Sequence, residues 1–366
     1  MIEVRPEFAV TPEGEPGVER YSGIEPRPLQ PFDRIIGSTP ISGTDIAAIN
    51  TFYREEEASM QASPPHVLTD ADLEYCALTK PPEQALRATM EEIRRLAMAH
   101  PFVTGAQAGT NNEAVFKAWL GSGKWEGGTF REGMTIGAAR FAGATLLGEA
   151  LLLNIRDEAG EGPNISWKEH GSHSDDFMEV GDGTIGRKET LRAIARAGKR
   201  PGVRLAGELI ITMGTNGNPL EVGANAATNE GLTDITYNAA DKTGQSLSHN
   251  VPRQFLEIHS AVDVDHYEKM IAATVAEIER EPNRMLENTI VALMSMRTSW
   301  FVGMKPWMNE VVRAGWQQGS GSIDLAQTLN PLHFPGPQEV SLPLPTGRLI
   351  LAAGIDKRRP GTVPLP

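Results

Sequence analysis

Two histidines and an aspartate carry the first chemical signal. In the stretch VPRQFLEIHSAVDVDHYEKMIAATVAEIER, His259, Asp263 and His266 follow the spacing H-x3-D-x2-H. At about 100° per helical residue, four residues advance about 40° past one turn and seven fall about 20° short of two. The three side chains therefore share a sector about 60° wide. Phe255, Val262 and Met270 fall near that sector, so three polar groups sit in an apolar stripe. Imidazoles and carboxylates taken out of water lose their hydration for nothing unless they find partners. Two imidazoles and a carboxylate converging on one point suit iron, manganese or zinc. A lone histidine there would read as a packed core residue; the pair with Asp263 between them reads as part of a metal site. Glu257, Asp265, Glu268 and Lys269 fall largely on other faces and read as solvated surface. A zinc hydrolase is the main rival, but the chain has no H-E-x-x-H, and Cys76, its only cysteine, rules out a thiolate cage.

A site of this kind needs a helical body to hold it. β-Branched alternating runs are short and few, so strands are not expected. Helices are expected over Pro82–Ala99, Asn112–Leu120, Glu132–Glu158 with a break near Gly143, Arg187–Ala197, Val203–Met213, Leu220–Ala240, Pro252–Arg280 and Asn283–Trp316 with a break near Pro306. That content implies an all-α bundle. Residues 1–80 are rich in Pro and Gly and read as an extended arm with one short helix around Asp45–Met60. Residues 81–318 form the helical domain, and residues 319–366 a second Pro-rich tail. Cys76 reads as a small core residue. GSGK at Gly121–Lys124 lacks the glycine spacing of a phosphate loop and reads as a turn, as does MGTNGNPL with its Asn216–Gly217 pair.

The helix-borne H-x3-D-x2-H near the end of a helical body resembles the haem-oxygenase-like diiron oxidases and oxygenases. LLGEALLLNIRDEAGEGPNISWKEHGSHSDDFMEVGDG is similar to that family's earlier motif, a helix ending in an acidic pair before a histidine. The resemblance makes Glu158 the carboxylate and His173 the imidazole, although the spacer is longer than usual and also holds His170. PLEVGANAATNEGLTDITYNAA is similar to the family's next helix, with Glu230 as its central carboxylate. Glu230 precedes His259 by 29 residues, a separation that lets two antiparallel helices meet at one level. Some members carry a further, earlier glutamate, and Glu132 is the candidate. On one straight helix Glu132 would lie about 39 Å from Glu158, so it can contribute only if the chain folds back, for instance near Gly143.

The resemblance implies a haem-oxygenase-like bundle holding two iron ions per chain through Glu158, His173, Glu230, His259, Asp263 and His266, with Glu230 as a bridge. It implies dioxygen activation by the diferrous centre, an external electron donor, and a small amino acid or amine as substrate. A substrate carboxylate would want a cation, and Arg297, Arg253 and Lys305 are candidates. Tyr237 reads as a packed tyrosine near Glu230, and Trp300, Phe301 and Trp307 as core.

The bulk numbers agree with a soluble enzyme. Hydrophobic residues make up 40% and charged residues 22% of the 366, ordinary globular values. The net charge of −13 argues against a nucleic-acid partner and against docking on an anionic membrane. No apolar run approaches the ~20 residues of a membrane span. The acidic, Pro-rich start is not a secretory signal, so a reducing cytoplasm is expected. The arms, and what similar proteins do, suggest a homodimer.

Overall fold

The computed structural model describes residues 68–141, 145–158 and 173–318, together with a two-residue antiparallel pairing of Glu3–Val4 with Ile24–Glu25. Every other element is helical: α1 (Asp70–Thr79), α2 (Pro82–Met98), α3 (Pro101–Gln107), α4 (Glu113–Phe141), α5 (Leu146–Glu158), α6 (His173–Ile185), α7 (Arg187–Ala197), α8 (Pro201–Asn216), α9 (Pro219–Ser246), α10 (Arg253–Glu279), α11 (Met285–Thr298) and α12 (Lys305–Gln318). The all-α expectation holds. The helix expected over Asp45–Met60 and the tail 319–366 lie outside the described residues. No described helix is long and apolar enough to cross a membrane.

Local chemistry sets the helix starts. Asn218 caps α9: its Oδ1 accepts the Glu221 N–H at 3.1 Å while a Glu221 carboxylate oxygen accepts the Asn218 N–H at 2.7 Å. This reciprocal box satisfies two of the N–H groups that a helix start leaves without partners, and places the expected turn between α8 and α9. Thr69 and Asp72 form the same box at α1. Proline opens α2, α3, α8 and α9, where its missing N–H costs nothing.

α9 forms the axis of the body. It packs most extensively on α10 and also on α11, α3, α2 and α4. α4 crosses the other side and packs on α8, α7, α5 and α12. On α2, the buried stripe Ala85, Leu86, Met90, Ile93 and Ala97 repeats at three- and four-residue steps and faces the core.

Three expectations need correction. Helix α1 lies within the stretch read as an arm, yet it packs on α2 and α11, and its Leu73 is 1% exposed. The helical body therefore begins before residue 81; Cys76 on α1 is half-buried, its Sγ 3.7 Å from the Ala85 carbonyl. Gly121–Lys124 is not a turn but helix, within the 29 residues of α4. Its glycines answer to packing: a Cβ on Gly121 would lie 2.3 Å from the Ala193 carbonyl oxygen of α7, so only glycine permits that approach. The break expected near Pro306 appears one turn earlier, as a π-helical stretch over Ser299–Met304. Proline lacks an N–H and its ring clashes with the carbonyl four residues back, which is Val302 here, so the α-helical ladder gives way in that turn.

Candidate metal centre

Helices α5, α9 and α10 converge on a cluster of ionisable side chains. Asp157 and Glu158 come from the end of α5, Glu230 from the middle of α9, and His259, Asp263 and His266 from α10. None of the six is more than 9% exposed. The stripe on α10 behaves as its periodicity demands: Val262 and Met270 are buried beside the polar three. The side chain of Phe255 lies outside the described residues. Asp265 and Lys269 pair with each other toward the surface, and Glu268 faces solvent.

Ligand atoms of Glu230, Asp263 and His266 all lie within 4.8 Å of one another, close enough to share one ion. His259 Nδ1 lies 3.2 Å from one Asp263 oxygen. The other, Asp263 Oδ2, is buried with no hydrogen-bond partner among the described residues, as is His266 Nδ1. His266 Nδ1 stands 3.6 Å from a Glu230 oxygen, while Nε2 on the far side of the ring lies 3.0 Å from Asp157 Oδ2. Asp157 thus fixes the ring and leaves Nδ1 turned to the cluster, the arrangement by which carboxylates orient histidine ligands. Asn154 of α5 donates a hydrogen bond from Nδ2 to the other oxygen of Glu230.

The electrostatics are unbalanced in one direction. Burial pushes the Asp263 carboxyl well above its ordinary value, and the neighbouring Glu230 and Glu158 carboxylates push it further. Burial alone would lower the His266 imidazole, but the Asp157 and Glu230 carboxylates beside it win and hold it well above its usual value. Four carboxylates meet two imidazoles. Lys124 of α4, buried, lines a hollow together with Glu158. With Lys124, Arg131 of the same hollow and His266 all charged, one negative charge remains. Buried charge of that kind is held only with cations or protons. The donor set, the unpartnered Asp263 oxygen and the negative surplus all fit a metal.

A cavity of about 50 Å³ opens on the cluster, lined by Glu158, Glu230, His259 and Asp263 and walled by Trp119, Phe130, Tyr237, Met304 and Trp307. Tyr237 packs its ring 4.8 Å from the His259 ring, as a packed tyrosine should. Trp307, read as core, is buried and also lines this cavity. On α4, Gly123 and Gly127 line the same wall, and a Cβ on Gly127 would meet nothing within 4 Å.

Not every expected residue arrives. The chain does fold back between α4 and α5, which pack together, but Glu132 lines neither this cavity nor the cluster. It is half-buried beside Glu208 of α8, and burial raises its pKa. Glycines of α4, not Glu132, stand across from Glu158. His173 opens α6, but its side chain and the whole of His170 lie outside the described residues. Arg297 ties α11 to the start of α1, through the Leu68 carbonyl at 3.0 Å and Asp70 at 2.6 Å, so it does not serve the site. Lys305 packs over the Phe301 ring, and the side chain of Arg253 lies outside the described residues. Sequence reasoning missed Asp157, although it is the other half of the acidic pair that singled out Glu158. Comparison with protein-family models and with curated proteins finds no match.

Proposed function

We propose that this protein is a haem-oxygenase-like, non-haem diiron oxidase or oxygenase acting on a small amine or amino acid. The observation that carries the reading is the buried Asp263 oxygen without a hydrogen-bond partner, set in one cluster with Glu230 and His266. One iron is assigned to Glu230, Asp263 and His266. Glu158 and His259, which line the adjoining cavity, would hold the second, with His173 added through the family resemblance. The irons, when reduced, supply dioxygen activation, with electrons from an external donor.

The chain's own residues do the rest. Asp157 holds the Nε2 proton of His266 and so keeps Nδ1 aimed at the cluster. Asn154 fixes the rotamer of Glu230 through its amide. Trp119, Phe130, Met304 and Trp307 present apolar surface to the cavity and exclude bulk water. The surplus of carboxylates offsets the charge of the metal ions and makes the site attractive to cations over neutral ligands.

Anaerobic loading with ferrous iron, removal of the excess and measurement of bound iron tests this directly. The parent is expected to hold two irons per chain, and His266→Ala and Asp263→Ala to lose them. A parent that takes up no iron overturns the reading. The second reading, a metal-free bundle of the same architecture, takes its support from the Asp157–His266 and His259–Asp263 pairs, which a polar core network would also contain. It predicts no stoichiometric iron in the parent.

A further inference from the structure

A second cavity reaches the same two carboxylates from the opposite side. It measures about 300 Å³ and lies between α2, α9 and α10, lined by Glu230 and Asp263 at one end and by Arg87, Glu91, Arg94, Asp234 and Glu268 toward solvent. Met90, Val264 and Tyr267 form its apolar surface. Gly231 makes room for this surface: a Cβ there would stand 2.6 Å from Met90 Cε and 3.1 Å from Tyr267 Cδ2. The first cavity, at about 50 Å³, holds roughly four waters at ~10–15 Å³ each. The second has the size of a small-molecule site.

The charges at its mouth are not evenly available. Arg87 donates to both Glu268 oxygens, at 2.8 and 2.5 Å, and to Glu83 at 2.9 Å. Arg94 donates to both Asp234 oxygens at 2.7 Å and also to the Gly231 carbonyl. Both guanidiniums are thus committed to carboxylates of the neighbouring helices. Glu91, exposed on the same face of α2, has no ion pair among the described residues. Glu91 and Tyr267 line the cavity together. A cation at this mouth meets one uncommitted carboxylate and an aromatic ring face, the two groups that attract ammonium and guanidinium ions.

We infer that this cavity admits the organic substrate, and that the substrate carries a cationic end, an ammonium or guanidinium held at Glu91 and Tyr267. An apolar stretch then passes Met90 and Val264, and the reacting end lies toward Glu230 and Asp263. The inference rests on the reading of Glu230 and Asp263 as metal-holding residues. It differs from the sequence-based expectation of a free arginine or lysine for a substrate carboxylate.

Benzylamine, benzyl alcohol and benzoate serve as probes of one shape and three charges. Their binding is titrated by calorimetry against the full chain, metal-free and iron-loaded under argon, with iron content measured on the same samples. Benzylamine is expected to bind more tightly than benzyl alcohol by about threefold to fivefold, the worth of one partly exposed ion pair, with benzoate weakest. Glu91→Gln should erase that preference, and Val264→Trp, at an exposed mouth position, should weaken all three. Preference for benzoate, absence of binding, or an unchanged preference in Glu91→Gln overturns the inference. Charge-selective binding without iron uptake sinks the metal reading alone, and iron uptake without charge selectivity sinks this inference alone.

Discussion

At the scale of single residues, Asp157 separates a metal centre from a packed polar core. Its carboxylate touches His266 on the face away from the cluster. Removing such a partner typically costs about 10- to 100-fold in metal affinity. Asp157→Asn keeps an acceptor at Oδ1 and nearly the same volume, so folding should survive while iron affinity falls by about that factor in a competition titration; unchanged affinity would remove Asp157 from the site. Its absence from the sequence reading has a simple cause. Adjacent helical residues point about 100° apart, so naming Glu158 as the inward member of the pair left Asp157 facing elsewhere. The structure accommodates both, because α9 and α10 flank the end of α5. His259, Asp263 and His266 were legible because one helix's periodicity places them and needs nothing from the rest of the fold. Glu132 failed for the converse reason: its position depended on the level at which α4 and α5 pair, which no local pattern encodes.

At the scale of elements, the start of α3 carries a pH dependence of its own. His100 caps this helix, its Nδ1 accepting the Phe102 N–H at 3.1 Å, while Nε2 lies 2.8 Å from Asn309 Oδ1 of α12. Nδ1 can accept only while unprotonated, so the ring is neutral with its proton on Nε2. Burial lowers its pKa from 6.5 to about 4, against the Asn309 hydrogen bond, which raises it. A base depressed in the folded state costs nothing above its unfolded value and destabilises as pH falls below it. Stability should therefore drop by on the order of 3 kcal/mol between about pH 6.5 and 4. Denaturant titrations across that range check it. His100→Asn, which keeps a capping acceptor but does not titrate, should flatten the slope. No sequence pattern announced this cap, since histidine is not among the usual capping residues. The capping of α9 by Asn218 was half visible: the turn was read, the reciprocal bond to Glu221 was not.

At the scale of the whole molecule, the metal proposed for the buried cluster would be a folding partner. Ligand at about 100 times its dissociation constant stabilises the folded state by about 2.7 kcal/mol. For a body of this size, stripping the metal should lower Tm by roughly 5–10 °C, at about 2–4 °C per kcal/mol. Calorimetric scans of iron-loaded and chelator-treated protein measure it, and coincident transitions would show that the cluster is satisfied without a cation. The all-α body was readable because long amphipathic stripes and proline starts are local signals. The two cavities were not, because each is a gap closed by helices from separate parts of the chain: α2 against α9 and α10 for one, α4, α5, α9, α10, the π-helical stretch and α12 for the other.

That π-helical stretch, Ser299–Met304, ends in the cavity wall, to which Met304 and, three residues on, Trp307 contribute. A π turn holds one residue more than the α-helical turn it replaces. Losing a single residue there would let that turn close to the α-helical form, so the deletion would be absorbed within it and Trp307 would keep its place on the wall. A change of chain length at this cavity wall would thus be taken up by Ser299–Met304, leaving every side chain of the cluster untouched.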